Sequence, residues 1–190
     1  MLRDKILFRV KDYLGLLFVQ VFRHIFFYFS GSSIPFSTRI PKVRVNWPHQ
    51  LSIGSNCTLE DNLIFKYDSI WEKGPNIVIG SNVFIGNNTE FNISKKISIG
   101  DDCLIASGCK FIDHNHGFSD STTLIRDQPL AEEPIIIENN VWLGVNCLIL
   151  KGVRIGSGSV IGAGSIVSHD IPPKELWCGN PAKLLKKLIK

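Results

Sequence analysis

Residues 137–172 read IENNVW LGVNCL ILKGVR IGSGSV IGAGSI VSHDIP, and the pattern within them repeats every six residues. Each unit opens on an aliphatic residue: Ile137, Leu143, Ile149, Ile155, Ile161 and Val167. A small residue usually follows it. A fixed short period is typical of a solenoid, whose stacked turns bury a core that no single turn could form. Six residues match one flat side and one corner of a triangular parallel β-helix. The sequence therefore predicts an all-β protein, a triangular prism of hexapeptide repeats with the aliphatic side chains pointing inward.

The same period continues towards the N-terminus, with interruptions. Units open in pairs at Ile53, Ile79 and Ile99. The phase breaks at 65–78, at 93–98 and at 113–134. An interruption in a regular solenoid is usually a loop, and loops often carry function. We therefore expect a β-helix over 53–172 with a protruding loop at 113–134.

The composition is that of one folded domain. Of the 190 residues, 44% are hydrophobic and 20% are charged, and the net charge is +4. This mild positive charge favours anionic ligands or surfaces, but in the absence of a basic array we predict no nucleic-acid partner. Four of the five cysteines share one position of the hexapeptide: Cys57, Cys103, Cys109 and Cys147. They are interpreted as small apolar fillers in a reducing compartment.

Residues 1–30 are predicted to form a hydrophobic or amphipathic helical segment, with the helix over 5–29. Its longest uncharged run, Tyr13 to Phe22, is shorter than the roughly 20 apolar residues that span a bilayer. Two interpretations stay open: the helix packs on the prism or a neighbouring subunit, or it lies in a membrane interface with basic residues facing anionic lipid. We expect a cytoplasmic protein, held at the inner face of the membrane in the second case.

Two segments flank the predicted β-helix. Residues 31–52 contain three prolines and are expected to be an extended linker. Residues 173–190 carry several lysines and are expected to be a basic C-terminal tail.

The stretch Asp113-His114-Asn115-His116-Gly117 holds the most reactive side chains and lies where the repeat breaks. A histidine can take a proton from a hydroxyl and return it to a leaving group at neutral pH. The alternative is a polar loop whose histidines only bond to backbone, but an insertion reaching Pro134 favours the wall of a pocket. A zinc ion would need a third ligand, and the other histidines lie far along the sequence, so we predict no metal.

Further motifs follow this stretch in order: Gln128-Pro129, Pro134-Ile135, Asn140-Val141-Trp142-Leu143-Gly144, Ile161-Gly162-Ala163-Gly164-Ser165, Asp170-Ile171-Pro172-Pro173 and Gly179-Asn180-Pro181-Ala182-Lys183. Together they resemble the hexapeptide-repeat acyltransferases, in the branch of bacterial sugar and polysaccharide O-acetyltransferases that includes the galactoside and maltose acetyltransferases. The resemblance runs from about Ile53 to Lys183. It implies a left-handed β-helix, a homotrimer with active sites between subunits, and acetyl-CoA as co-substrate.

The resemblance also implies catalytic roles. His114 would be the general base that activates an acceptor hydroxyl, with His116 as the second choice. Asp113 would orient an imidazole. Neighbouring side chains on a strand point to opposite faces, which leaves this last role open.

Ligand-binding roles are carried over by position. Glu90 and Asn92 match the segment that faces the acceptor sugar, although relatives such as the galactoside enzyme have Asn where this chain has Glu90. Six residues match positions along the coenzyme: Trp142, Gly144, Ala163, Ser168, Lys183 and Lys186.

The predicted function is an acetyl-CoA-dependent O-acetyltransferase acting on a sugar hydroxyl, in the biosynthesis of a surface polysaccharide. Its predicted partners are a sugar or glycan acceptor and a membrane contacted peripherally through residues 1–30. An N-acetyltransferase acting on a nucleotide-linked amino sugar, or a β-helix scaffold without catalysis, are the alternatives.

Overall fold

The computed structural model describes residues 17–69 and 71–188. Residues 17–29 are helical (α1), and 3₁₀ helices cover Pro48–Gln50 and Ile125–Asp127. The strands in these ranges are β1 Val43–Val45, β2 Leu51–Ile53, β3 Thr58–Leu59, β4 Leu63–Tyr67, β5 Ile77–Ile79, β6 Phe84–Ile85, β7 Glu90–Ile93, β8 Ile97–Ile99, β9 Leu104–Ile105, β10 Lys110–Ile112, β11 His114–Asn115, β12 Ala131–Glu132, β13 Ile135–Ile137, β14 Trp142–Leu143, β15 Leu148–Leu150, β16 Arg154–Ile155, β17 Val160–Ile161, β18 Ile166–Val167, β19 Glu175–Cys178 and β20 Lys183–Lys187.

These strands form the three faces of a prism. Face I contains β2, β5, β8, β13 and β16; face II contains β3, β6, β9, β14, β17, β19 and β20; face III contains β1, β4, β7, β10, β15 and β18. Consecutive strands of the chain pass from face I to face II to face III, and each strand pairs in parallel with the one a full coil later. The antiparallel pairs among the described strands are β11–β12 and β19–β20. The architecture is the predicted left-handed parallel β-helix.

The inward side chains form columns along the prism, one for each face. On face II, Ile85, Ile105, Leu143 and Ile161 lie in register and are fully buried. On face III, Phe65, Phe91 and Phe111 stack with ring centroids 4.9 and 4.8 Å apart. Each such side chain contributes about 1.5–3 kcal/mol on burial, so the aliphatic period stabilises the whole solenoid. The four cysteines predicted to be fillers are buried in this core.

A second hexapeptide column, not recognised in the sequence, makes the corners. Three places after the aliphatic residue stands Asn, Asp or Gly, with positive φ: Asn56, Asn62, Asn82, Asn88, Asp102, Gly108, Asn140, Asn146, Gly152, Gly158 and Gly164. These are the residue types that adopt the left-handed conformation most readily. The small residue directly after the aliphatic has another purpose. A Cβ on Gly144 would lie 2.6 Å from the Ala163 nitrogen, so this position keeps successive coils close.

The prediction that residues 31–52 are a linker is wrong, because the chain already winds one coil there. Ser33 bridges to Ser52 on face I, Arg39 bridges to Thr58 on face II, and β1 pairs with β4 on face III. Likewise, residues 173–190 include a hairpin rather than a plain tail, since β19 extends face II and β20 folds back on it.

Helix α1 packs against this first coil through its polar residues. Gln20 exchanges two hydrogen bonds with the backbone of Ile40, and Arg23 donates to the same carbonyl at 2.8 Å. The predicted helix over 5–29 is seen for residues 17–29, and residues 5–16 lie outside the described ranges. No helix in the described part of the chain is long and apolar enough to cross a membrane.

Candidate active site

The interruptions of the repeat all fall on one edge of the prism, where the chain passes from face III to face I. In successive coils the segments at this edge are 46–50, 68–76, 94–96, 113–134 and 151–153. The three breaks seen in the sequence therefore stack above one another, although they are far apart along the chain. We call this line of loops the III–I edge.

Asp113 is the buried anchor of the longest loop. Its carboxylate accepts the backbone N–H groups of Ser94 at 2.7 Å, Lys95 at 2.7 Å and Lys96 at 2.8 Å. The side chain is fully buried, so these hydrogen bonds stand in for the water that the carboxylate has lost. Asp113 thus ties the start of the 113–134 loop to the preceding coil.

His114 lies directly on this anchor. Its Nδ1 is 3.1 Å from Asp113 Oδ1, and its side chain is 12% exposed. The contact favours the tautomer in which Nδ1–H donates to the carboxylate and Nε2 carries the free lone pair. Neighbouring side chains on a strand point to opposite faces, but here the His114 imidazole turns back along the edge and contacts the Asp113 carboxylate.

A short ladder supports the histidine from the other side. β11 pairs with β12, placing His114 opposite Glu132, and the Ser94 hydroxyl donates to the Glu132 carboxylate. Ser94 and Glu132 were not identified from the sequence as part of the site. The matching breaks at 93–98 and 113–134 were the available signal, since both occur at the same point of the coil.

His116 is not brought to this anchor. It is exposed beyond the end of β11, at the start of the outer part of the loop. Further along, Thr122 and Thr123 bond to the Asp120 carboxylate and lower the pKa of Asp120 to about 2. These contacts fix a turn in the outer loop without reaching the histidines.

The two candidate acceptor residues lie on the outer side of β7, one coil before the loop. Asn92 is in register with Ile112, two residues before His114, and its Oδ1 is shielded from solvent without a hydrogen-bond partner among the described residues. Glu90 is in register with Lys110 and forms an ion pair with it at 3.3 Å. The Asn92 amide oxygen is therefore without a partner among the described residues, whereas Glu90 is already paired.

Three of the candidate coenzyme positions lie along another edge, between faces II and III. Gly144 and Ala163 face each other in successive coils. The next coil continues the line, because Gly179 donates to Ser165 Oγ at 3.0 Å and Ala182 donates to the carbonyl of Ile166 at 2.8 Å. Lys183 follows at once and is exposed. This II–III edge is a column of small residues that ends at a cation.

The remaining positions are spread over the surface. Trp142 is 52% exposed on the outside of face II, Lys186 is exposed on β20, and Ser168 lies on the III–I edge. Within one chain, the width of face III separates His114 from the column of Gly144 and Ala163. No group of three or more His, Cys, Asp or Glu suited to a metal occurs among residues 17–69 and 71–188.

The fold and this edge define the class first: a left-handed β-helix of hexapeptide repeats with a histidine-bearing loop. The family model described as "hexapeptide repeat of succinyl-transferase" matches residues 76–109 and 134–169. Galactoside O-acetyltransferase of Escherichia coli is 35% identical over 137 residues, which is 72% of this chain and 64% of that protein. In repeat, sequence and fold the chain is similar to the hexapeptide-repeat acyltransferases. It spans 36% to 65% of the length of the curated relatives it matches first.

Solved structures agree on the fold. A hexapeptide-repeat acetyltransferase of Vibrio cholerae is 29% identical, with a TM-score of 0.62 over 90% of this chain and 82% of that one. The same protein in complex with acetyl coenzyme A gives 27% identity and a TM-score of 0.55 over 84% and 70% of the two chains. AntD, an N-acyltransferase of Bacillus cereus, has a TM-score of 0.68 over 82% of each chain at 22% identity, which shows a shared fold alone.

Proposed function

We propose that this protein is an acetyl-CoA-dependent O-acetyltransferase acting on a sugar hydroxyl. The observation that carries the proposal is the pair formed by buried Asp113 and largely buried His114, in which Nε2 has no hydrogen bond to any of the described residues. An imidazole held by a carboxylate in this way is suited to general-base catalysis. The similarity to a galactoside O-acetyltransferase supports a sugar as the acceptor.

In the proposed reaction, Nε2 of His114 takes the proton of the acceptor hydroxyl as its oxygen attacks the thioester carbonyl. A C–O bond forms, and the tetrahedral oxyanion then collapses with loss of the coenzyme A thiolate. The imidazolium returns its proton to that sulfur, so the histidine is regenerated. Asp113 keeps the ring oriented and stabilises the transient positive charge. Asn92, on the outer side of β7 one coil before the loop, contacts the acceptor sugar and so helps to position it.

The proposed coenzyme groove is the II–III edge. Gly144 and Ala163 leave room for the pantetheine arm to approach the backbone, and Trp142 flanks it. Lys183 and Lys186 provide positive charge for the phosphates, although as point charges rather than bidentate forks. Ser168 contacts the coenzyme from the III–I edge, which belongs to the subunit that contributes His114.

This distribution supports a homotrimer with shared sites. A thioester on the II–III edge of one chain cannot reach His114 across the width of face III of the same chain. Placing the II–III edge of one subunit against the III–I edge of the next joins the two halves in each of three equivalent sites.

We also propose that α1 holds the protein on an anionic membrane, where a glycan acceptor for a surface polysaccharide is carried on lipid. Gln20, Arg23 and His24 face the first coil. Phe27 is buried, but the other five aromatic residues of the helix are exposed: Phe18, Phe22, Phe26, Tyr28 and Phe29. Residues 1–48 carry eight Lys and Arg against two Asp, and the remaining residues carry 13 against 15 Asp and Glu. A helix with an exposed apolar surface, in a segment of the sequence with excess positive charge, is typical of attachment to a lipid interface.

The function is tested by transfer of radiolabelled acetyl from acetyl-CoA to a panel of sugars, glycans and amino sugars. We expect O-linked acetyl product, with kcat lowered about 10²- to 10⁴-fold in His114→Ala. His116→Ala is the matched control and should retain activity, since His116 lacks the carboxylate contact. Equal activity of wild type and His114→Ala would refute His114 as the general base. Acetyl product formed only on amino groups would show that the acceptor is an amine rather than a hydroxyl.

A further inference from the structure

The III–I edge carries an aromatic cluster in the two coils nearest the N-terminus, on the N-terminal side of the proposed active site. Trp47 lies in the first coil and Trp71 in the loop of the second, with ring centroids 5.6 Å apart and nearly perpendicular. His49 lies against Trp71 at 4.0 Å. Trp71 is 66% exposed and Trp47 is 37% exposed. Most of the Trp71 ring is therefore not used in packing this chain, although it is one of the largest apolar surfaces a side chain can offer.

Hydrogen bonds to Glu72 hold the residues around this cluster in place. His49 and the Gln50 amide both contact the carbonyl of Glu72, at 3.0 and 2.7 Å. The buried Tyr67 hydroxyl donates to the Glu72 carboxylate at 2.9 Å. Burial and the neighbouring Glu72 raise the pKa of Tyr67, so this hydroxyl keeps its proton well above neutral pH. These hydrogen bonds hold Glu72, the residue after Trp71, and the His49 and Trp47 rings pack against the indole. Trp71 is therefore a platform oriented before binding, which lowers the entropy lost on binding.

The platform is aligned with His114. β1, β4, β7 and β10 are consecutive strands of face III, and the segments that follow them contain Trp47, Trp71, Lys95 and Lys96, and His114, respectively. With strands about 4.8 Å apart, the coil that carries Trp71 lies roughly 10 Å, and the coil that carries Trp47 roughly 14 Å, from the coil of His114 along the prism. Each coil thus advances by about the length of one sugar unit.

We infer that this edge is an extended acceptor site for a saccharide chain, in which Trp71 and Trp47 stack on sugar units remote from the acetylated one. The apolar C–H face of a pyranose covers an indole ring, while its equatorial hydroxyls remain available for polar partners. Exposed Lys95 and Lys96 lie between the platform and the histidine and donate to those hydroxyls. The inference rests on the proposed function for its direction: the reacting sugar is at His114 and the chain extends towards the first coil.

The test is calorimetric titration of the full-length protein, without acetyl-CoA, with galactose, glucose and N-acetylglucosamine oligomers of one to five units. We expect affinity to rise with length in at least one series. Trp71→Ala should remove the rise, lowering the affinity for the tetramer about tenfold, and Trp71→Phe should restore part of it. Phe36→Ala is the matched control, because Phe36 is also exposed and stacks on a histidine, His24, at 4.5 Å.

The outcomes separate this inference from the proposed function. Length-dependent binding that survives in His114→Ala but not in Trp71→Ala supports the platform, whether or not acetyl transfer is found. A flat length series, or equal binding by wild type and Trp71→Ala, overturns the platform even if sugars are acetylated. Quenching of Trp71 by brominated lipid in phosphatidylglycerol vesicles would also overturn it, because the ring would then be a membrane contact.

Discussion

Asp113 combines a structural role with a proposed role in positioning His114. It holds three backbone N–H groups of the neighbouring coil and also contacts His114. The sequence identified Asp113 and His114 as neighbours in a reactive motif. It could not reveal the other partners of the carboxylate, because they are brought to it by the return of the chain after a full coil.

Asp113→Asn is predicted to reduce both stability and activity. The amide is neutral, and its NH₂ group must face backbone N–H donors, so we expect a loss of about 2–3 kcal/mol in the free energy of unfolding. Loss of the oriented tautomer should also lower kcat. Denaturant unfolding and steady-state kinetics measure the two effects. His114→Ala is the control, since it should lower kcat with little change in stability; unfolding of Asp113→Asn at the wild-type midpoint would contradict the anchor.

At the scale of elements, the repeat could be predicted wherever the aliphatic period was unbroken. It was missed in the first coil, although Ile34 and Ile40 are six residues apart and Ile40 is buried. Pro35 and Pro41 stand where a small residue was expected, and so concealed the period. The hairpin of β19 and β20 was missed for a different reason, because it abandons the hexapeptide and closes face II by antiparallel pairing.

The orientation of α1 also lay beyond the sequence. Its apolar residues outnumber its polar ones, and an ordinary amphipathic helix would bury the apolar side. Here the polar side faces the protein, because the first coil offers the backbone carbonyls of Pro35 and Ile40 as acceptors. Apart from Phe27, which is buried, the aromatic residues of the helix are consequently left on the surface.

We predict that α1 binds anionic vesicles. The triple variant Phe18→Ser, Phe22→Ser and Phe29→Ser removes three exposed rings, so its co-sedimentation with phosphatidylglycerol vesicles should fall at least tenfold. Phe36→Ser, outside the helix, is the control and should leave binding unchanged. Wild-type binding should also weaken with salt, since the positive charge of residues 1–48 contributes. Undiminished sedimentation of the triple variant would exclude the helix as the anchor.

For the whole molecule, two half-sites on different edges predict complementation between subunits. His114→Ala removes the base from the III–I edge, and Ala163→Trp blocks the II–III edge. Each variant alone should be inactive. When both are co-expressed, an intact base meets an intact groove at about a quarter of the interfaces, so about a quarter of wild-type activity should return. Mixed oligomers without activity would place the complete site within a single chain.

The central claim, an acetyl-CoA site on the II–III edge, is tested most directly by calorimetric titration of the purified protein with acetyl-CoA, because no acceptor need be known. We expect saturable binding at about one site per chain. His114→Ala should bind as wild type does, Lys183→Ala about tenfold more weakly, and Ala163→Trp not measurably. Absence of binding by folded wild-type protein, or binding that neither Lys183→Ala nor Ala163→Trp alters, would contradict the account.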